Sequence, residues 1–143
     1  MTQLTLAKAQ TIVSAALAFA REKSFAPMAV AVLDARGTLK AFGAEEGTSL
    51  GRPEIAFGKA HGAMVMGIGS RTLGLRAVER PHFMSAVTAA VGGSLIPVAG
   101  GILIRGADKS IIGAVGVTGD TSDNDEAAGL AGLAAAELTA DPT

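Results

Sequence analysis

Apolar residues recur at helical spacing near the start of the chain. Over residues 5–23, Leu6, Val13 and Leu17 fall on one side of a helix, which predicts an amphipathic helix. Thr5 precedes this stripe, and its hydroxyl oxygen can accept a hydrogen bond from a free amide of the first turn. The pattern therefore predicts a helix that buries one face and begins just after Thr5.

Short apolar runs predict two β-hairpins, because polar residues rich in turn formers separate the runs of each pair. The predicted strands and turns are residues 28–33, 34–37 and 38–44 for the first hairpin, and residues 98–105, 106–109 and 110–118 for the second. Strands joined by tight turns are antiparallel neighbours. The sequence therefore predicts an antiparallel sheet.

Proline and glycine divide the segment between the hairpins into helices. Pro53 suits the first turn of a helix, which we expect to end near Gly67. Shorter helices are predicted over residues 71–78, with Ser70 as its cap, and over residues 82–90. Since helices and hairpins are segregated along the chain, we predict one α+β domain over residues 1–143.

A last apolar stripe predicts a C-terminal helix that begins near Ser122 or Asp123. Asp123 and Glu126 have the three-residue spacing of a capping box, in which two side chains satisfy free amides reciprocally. The residues after Thr139 are expected to fray. This helix completes the order helix, hairpin, helices, hairpin, helix.

The composition narrows the function classes. Hydrophobic residues make up 49% of the 143 residues, yet Trp and Tyr are absent and Phe occurs 5 times, so small side chains must fill the core. The net charge is −1 without a basic patch, and we expect no nucleic-acid partner. The absence of cysteine excludes disulfides, thiolate metal sites and cysteine nucleophiles.

Hydropathy bears on location and assembly. Glycine and charged residues interrupt every apolar run before it reaches the roughly 18 residues of a membrane span, so we expect no membrane insertion. The start has no basic segment followed by an apolar one, and we expect a cytoplasmic protein. Mean hydropathy is nevertheless +0.42, which favours apolar subunit interfaces and hence a homo-oligomer.

Three segments of the sequence have the pattern of a known family. They are residues 50–60 (Leu-Gly-Arg-Pro-Glu-Ile-Ala-Phe-Gly-Lys-Ala), residues 96–104, and residues 112–119 (Ile-Gly-Ala-Val-Gly-Val-Thr-Gly) followed by 124–126. Together they resemble the GlcG/HbpS-like family, which includes the C-terminal domain of PduO-type proteins. The resemblance implies a profilin-like fold, a five-stranded antiparallel sheet flanked by helices, assembled into dimers or larger homo-oligomers. It also implies a small-ligand-binding protein that is accessory to a catabolic pathway.

The resemblance implies haem as a candidate cofactor, because some family members bind it. Those members place a histidine ligand near the first helix, whereas residues 1–27 of this chain contain none. The candidate ligand-binding residues lie instead around the second helix: Arg52, Lys59, His61 and Met64. His61 and Met64 share one helix face and cannot both be axial ligands of one haem. Lys59 could contact a ligand, or it could pair with a carboxylate at an interface.

Three polar residues within four positions suggest an enzyme as the alternative to a binding protein. Glu79, Arg80 and His82 bring an acid, a guanidinium and an imidazole to the start of a helix, where free amides also occur. The alternative to a binding protein is therefore an isomerase or tautomerase, with His82 as acid/base and Arg80 or Arg52 polarising an oxygen of a carbonyl or anionic substrate.

The acidic residues before the last helix do not predict a metal site. Asp120, Asp123, Asp125 and Glu126 lack the glycine and the distal glutamate of a calcium loop. Carboxylates at a helix start are explained by capping and by the helix dipole. The glycine pairs 92–93 and 100–101 lack nucleotide-binding spacing, and no Gly-x-Ser-x-Gly elbow is present.

Overall fold

A five-stranded antiparallel sheet organises the computed structural model, which describes residues 3–143. The strand order is β2-β1-β4-β3-β5, and every neighbouring pair is antiparallel. The elements are α1 (Leu6–Glu22), β1 (Ala29–Asp34), β2 (Leu39–Ala44), α2 (Arg52–Met66), α3 (Ser70–Glu79), α4 (Pro81–Ala90), β3 (Gly101–Arg105), β4 (Ile111–Thr118), α5 (Ser122–Ala135) and β5 (Thr139–Asp141). The predicted α+β fold is confirmed.

The two faces of the sheet are covered by different helices. α1 and α5 pack on one face over a large apolar core that includes Ile12, Val30, Val115 and Leu133. α2 packs on the other face over β1, β4 and β3. Because α2 lies over the middle of the sheet, the edge strand β2 is left largely uncovered on that side. None of the helices within residues 3–143 has the length and hydropathy needed to cross a bilayer.

Glycine allows α2 to lie almost on the sheet. A Cβ atom at Gly116 of β4 would come within 1.9 Å of the Ala56 carbonyl oxygen, so only glycine fits there. On the opposite face, α5 lies equally close to α1. A Cβ atom added at Gly132 of α5 would lie 2.6 Å from the Ile12 carbonyl oxygen. Glycine thus permits close approach at both a helix–sheet contact and a helix–helix contact.

The starts of two elements, β3 and α3, differ from the sequence predictions. β3 begins at Gly101 and not near residue 98, because Gly100 has φ +126° and breaks the extended run. Ser70 lies inside α3 and does not cap it; its hydroxyl bonds the backbone of Gly101, whose amide donates to Ser70 Oγ at 2.6 Å. The side chain thereby ties α3 to the start of β3.

The predicted capping box of the last helix is also wrong. Thr121 is the N-cap of α5, and its hydroxyl accepts a hydrogen bond from the Asn124 amide at 3.2 Å. Asp123 and Glu126 instead hold Arg71 of α3, with Glu126 Oε2 at 3.1 Å from Nε of Arg71. These carboxylates therefore join two helices rather than cap one.

The C-terminal residues do not fray as predicted. β5 pairs antiparallel with β3, with Leu103 opposite Asp141, and it supplies the fifth strand of the sheet. A salt bridge of 3.0 Å between Arg105 and Asp141 holds this pairing. Three residues are too short a run to show a strand period in the sequence, so the pattern gave no signal for them.

The close approach at Gly116 predicts a specific stability loss. Gly116→Ala should lower the free energy of unfolding by about 1–3 kcal/mol, because the added methyl meets a backbone oxygen that cannot move alone. Urea unfolding measures the loss. Gly51→Ala is the matched control, since an added Cβ there meets no atom within 4 Å and φ is −85°. Equal losses in the two variants would contradict the close approach.

Candidate functional site

Helix α2 carries most of the candidate ligand-binding residues, and its sequence explains its placement. Pro53 lies in its first turn, Glu54 favours its N-terminal end, and Gly67 ends it in the left-handed conformation. Ala56 and Ala60 are fully buried against the sheet. The residues on either side of Ala56 and Ala60 therefore divide into two groups. Arg52 and Lys59 lie at one end of the sheet, and His61 lies on the side of α2 that faces the edge strand β2.

Lys59 points to the end of the sheet and is 2% exposed. Its Nζ donates to the Val117 carbonyl at 2.9 Å and to Asp125 Oδ2 at 3.0 Å. The other oxygen of Asp125 accepts from the Asp120 amide at 2.9 Å. Lys59 of α2 and Asp125 of α5 thus form an ion pair beside the end of β4, although their helices lie on opposite faces of the sheet.

Burial opposes the charge on both members of this pair. Loss of water lowers the pKa of Lys59 and raises the pKa of Asp125, while the attraction between the two groups acts in the opposite direction. Arg52 lies nearby and donates to the Thr118 hydroxyl at 2.7 Å; its charge lowers the pKa of both groups. Lys59 thus pairs with a carboxylate inside the chain, and not at an interface as the sequence had suggested.

Along the other side of α2 runs an apolar groove, which we call the β2 groove. It has a volume of about 320 Å³ and is lined by Ala31, Leu39, Phe42, Pro53, Glu54, Phe57 and Ser94. Leu39 and Phe42 remain 50% and 40% exposed, because α2 does not reach over β2. Exposed apolar side chains of this kind on a concave surface are typical of a binding site.

His61 lies next to the β2 groove and contacts two residues of its lining. Its ring stacks on Phe57, with centroids 5.4 Å apart and an interplanar angle of 16°. Its Nδ1 lies 2.7 Å from the Ser94 carbonyl oxygen. Since a carbonyl oxygen only accepts, Nδ1 carries the proton, and Nε2 of the neutral ring carries a lone pair. Within residues 3–143, Nε2 has no hydrogen-bond partner.

Met64 lies one turn beyond His61 and is partly buried against the cluster around Leu33. A thioether in such a place fills an irregular gap between side chains. The structure therefore separates the four candidates of α2: Arg52 and Lys59 belong to the charged cluster at the sheet end, His61 to the surroundings of the β2 groove, and Met64 to the packing beneath the helix.

Glu79, Arg80 and His82 lie around the α3–α4 junction, and all three are exposed. The Arg80 guanidinium stacks over the Phe83 ring, with 4.5 Å from Cζ to the centroid. No hydrogen bond or ion pair among the described residues joins the three side chains to one another. No hydrogen bond from another described residue orients the His82 imidazole, so the enzyme interpretation stays a prediction.

A larger cavity of about 800 Å³ lies at the turns of the two hairpins. Its carboxylates already have partners at the surface: Asp34 accepts from Arg36 at 2.9 Å, and Asp108 accepts from the Ser110 hydroxyl at 2.6 Å. These bonds lower the pKa of both carboxyls. A metal-binding group of three or more histidines and carboxylates does not occur in the part of the chain that the structure describes.

Comparison with known proteins gives one family and several similar structures. The sequence model of the family described as "Haem degrading protein HbpS-like" matches residues 4–134. No curated protein matches the chain.

Similar solved structures share the fold over nearly the whole chain. A PduOC domain solved as a haem complex has a TM-score of 0.85 at 22% identity, covering 96% of this chain and 98% of that one. The Klebsiella pneumoniae protein ORFY has a TM-score of 0.84 at 24% identity, covering 96% and 93%. HbpS has a TM-score of 0.78 at 27% identity, covering 94% and 90%.

The buried ion pair predicts a pH-dependent stability loss. Lys59→Met should lower the free energy of unfolding at pH 7 by about 3–5 kcal/mol, because Asp125 then keeps a buried charge without its partner. Burial raises the folded-state pKa of Asp125, so acid favours the folded state at this residue. The deficit relative to wild type should shrink as pH falls through that pKa and be smallest near the unfolded value of about 4. Urea unfolding of the wild type and of Lys59→Met between pH 4 and 8 measures this difference in the free energy of unfolding.

The double variant Lys59→Met/Asp125→Leu is the control for this experiment. It removes both charges together and should recover most of the lost stability, since two apolar residues of similar volume replace a desolvated pair. A Lys59→Met deficit that stays constant across the pH series would show that Asp125 is not the group left unpaired.

Proposed function

Because the chain belongs to the HbpS-like family, we propose that it binds a planar, largely apolar ligand of the haem class in the β2 groove, with His61 as the ligand to iron. The observation that carries this proposal is the hydrogen bond from His61 Nδ1 to the Ser94 carbonyl. It leaves the lone pair on Nε2, the atom that coordinates a metal when the other ring nitrogen is bound to a carbonyl.

The residues present fit such a ligand. Leu39, Phe42 and Phe57 would contact the macrocycle, and His61, which contacts Phe57 and Ser94 of the lining, would hold the iron. The groove volume of about 320 Å³ lies at the lower end of the roughly 300–1,000 Å³ that ligand sites commonly measure. When bound, haem would supply a redox-active iron.

The charges around the groove bear on how an acidic ligand would lie. Glu54 is the one charged residue in the lining, at the first turn of α2. Its carboxylate disfavours a second carboxylate nearby, because like charges a few ångströms apart repel. A ligand with carboxylate arms is therefore expected to keep them away from Glu54 and towards solvent.

The comparisons support the ligand class but not the position of its axial residue. The PduOC domain was solved with haem, and the family is described as haem-degrading. This chain has no histidine in residues 1–27, so a ligand from the first helix is unavailable, and His61 takes that role in our proposal.

The wider role that we propose rests on the resemblance of the sequence to the family and on the surface of the chain. We infer a cytoplasmic homo-oligomer that is accessory to a catabolic pathway. Large apolar side chains at the surface support assembly, with Leu50 98% exposed and Val78 84% exposed.

Titration with hemin tests the proposed ligand site. The wild-type chain should shift the Soret band of hemin, and His61→Ala should abolish or strongly weaken that shift, because the iron loses its protein ligand. His82→Ala is the matched control, since His82 is the other histidine and is exposed on α4. Absence of a wild-type shift, or loss of the shift in His82→Ala but not in His61→Ala, would refute the assignment.

A further inference from the structure

The cavity at the turns of the two hairpins contains charged groups that the proposed ligand site does not use. It has a volume of about 800 Å³, and its lining includes Leu4, Asp34, Lys40, Asp108 and Ile112. We call it the turn cavity. No residue lines both the turn cavity and the β2 groove, so the two are separate places on the molecule.

Apolar side chains form the floor of the turn cavity. Leu4 and Ile112 line it, yet they are only 2% and 5% exposed, because both also belong to the large core. Gly113 of β4 permits this arrangement, since a Cβ atom added there would lie 2.9 Å from Leu4 Cδ2. The floor is therefore fixed on the sheet, and it favours contact with the apolar part of a ligand.

Asp34 and Arg36 neutralise each other at the β1–β2 turn. Asp34 Oδ2 accepts a hydrogen bond from the Arg36 guanidinium at 2.9 Å. Asp34 Oδ1 accepts from the amides of Arg36 and Thr38 at 2.9 Å and 3.2 Å. This carboxylate therefore shapes the turn, and the pair adds no net charge to the cavity.

Lys40 and Asp108 are the charged side chains of the lining that have no ion-pair partner within residues 3–143. Asp108 accepts from the Ser110 amide at 3.1 Å and from the Ser110 hydroxyl at 2.6 Å, in both cases through Oδ1. Its Oδ2 accepts no hydrogen bond from the described part of the chain. One cation and one carboxylate oxygen of the turn cavity thus remain available to a ligand.

The strand order places these two groups on opposite sides of the turn cavity. Lys40 belongs to the edge strand β2, whereas Asp108 lies in the turn that joins β3 to β4, and β1 lies between β2 and β4. Neighbouring strands are about 4.8 Å apart, so β2 and β4 are roughly 10 Å apart. The turn cavity therefore has a positive side and a negative side, with an apolar floor between them.

We propose that the turn cavity binds a linear ω-amino carboxylate, a molecule with a carboxylate and an ammonium group at the two ends of an apolar chain. Lys40 pairs with the carboxylate, Asp108 Oδ2 accepts from the ammonium group, and Leu4 and Ile112 contact the methylene chain. The two protein charges fix the direction of the ligand, and their separation fixes its length. A ligand with a single charge leaves one of them unpaired.

Isothermal titration calorimetry of the full chain with ω-aminocaprylate tests the proposal, at low ionic strength because salt screens exposed charges. The chain should bind ω-aminocaprylate but not its short homologue γ-aminobutyrate, which cannot span the roughly 10 Å between the two sides. Caprylate and octylamine keep the apolar chain and lack one charge each. Both should bind about twofold to fivefold more weakly than ω-aminocaprylate, because each loses one solvent-accessible ion pair.

Two variants assign the ends of the ligand. Lys40→Met should weaken ω-aminocaprylate binding about twofold to fivefold but leave octylamine binding unchanged, because octylamine has no carboxylate to lose its partner. Asp108→Asn should weaken ω-aminocaprylate binding to a similar extent and leave caprylate binding unchanged. The matched control is Lys23→Met, since Lys23 follows the 17 residues of α1 and lies about 25 Å along that helix from the cavity.

The outcome for the turn cavity is independent of the outcome for hemin. His61→Ala should leave ω-aminocaprylate binding unchanged, because His61 lies beside the β2 groove. A wild-type chain that gives no heat of binding with ω-aminocaprylate would overturn the proposal. So would equal affinity for ω-aminocaprylate, caprylate and octylamine, or binding that Lys40→Met and Asp108→Asn both leave intact, since the ligand would then lie elsewhere.

Discussion

The ion pair between Lys59 and Asp125 is the constraint on which the arrangement of this domain depends. The two charges come from helices on opposite faces of the sheet and meet beside the end of β4, where the Val117 carbonyl accepts a second hydrogen bond from the ammonium group. A buried charge cannot be left alone, so each residue requires the other in place. The pair therefore fixes the middle of α2 in its position over β1, β4 and β3. The edge strand β2 stays uncovered as a consequence.

The β2 groove and the orientation of His61 follow from that position of α2. His61 comes two residues after Lys59, about 200° around the helix, so fixing Lys59 towards the sheet end turns His61 away from it. There the imidazole meets the Ser94 carbonyl and the Phe57 ring. The hydrogen bond sets the tautomer, and the stacking sets the plane of the ring. A structural ion pair and a candidate ligand residue thus share one helix without sharing a function.

Local pattern was enough to predict the hairpins and most helix bounds, but not the groove. The groove needs Leu39 and Phe42 on one face, although strict alternation places residues three apart on opposite faces. An extra residue at Lys40, where the register with β1 shifts, brings both to the same side. Such a bulge depends on pairing between strands. Likewise, Asp125 was expected to serve a helix start, and its partner stands 66 residues away in sequence. Contacts of this range have no local signature.

Two of the few aromatic residues of the chain lie in the β2 groove and not in the core. A core filled by Ala, Gly, Val, Leu and Ile, with helices lying almost on the sheet, has little room for large rings. Two of the five phenylalanines, Phe42 and Phe57, line the groove. Phe42 stays 40% exposed there, although burial of an aromatic ring is strongly favourable. A chain that otherwise uses small residues thus holds two rings beside an oriented imidazole, on a surface that its own helices leave open. Contact with the flat apolar ligand that we propose would cover both rings on this surface.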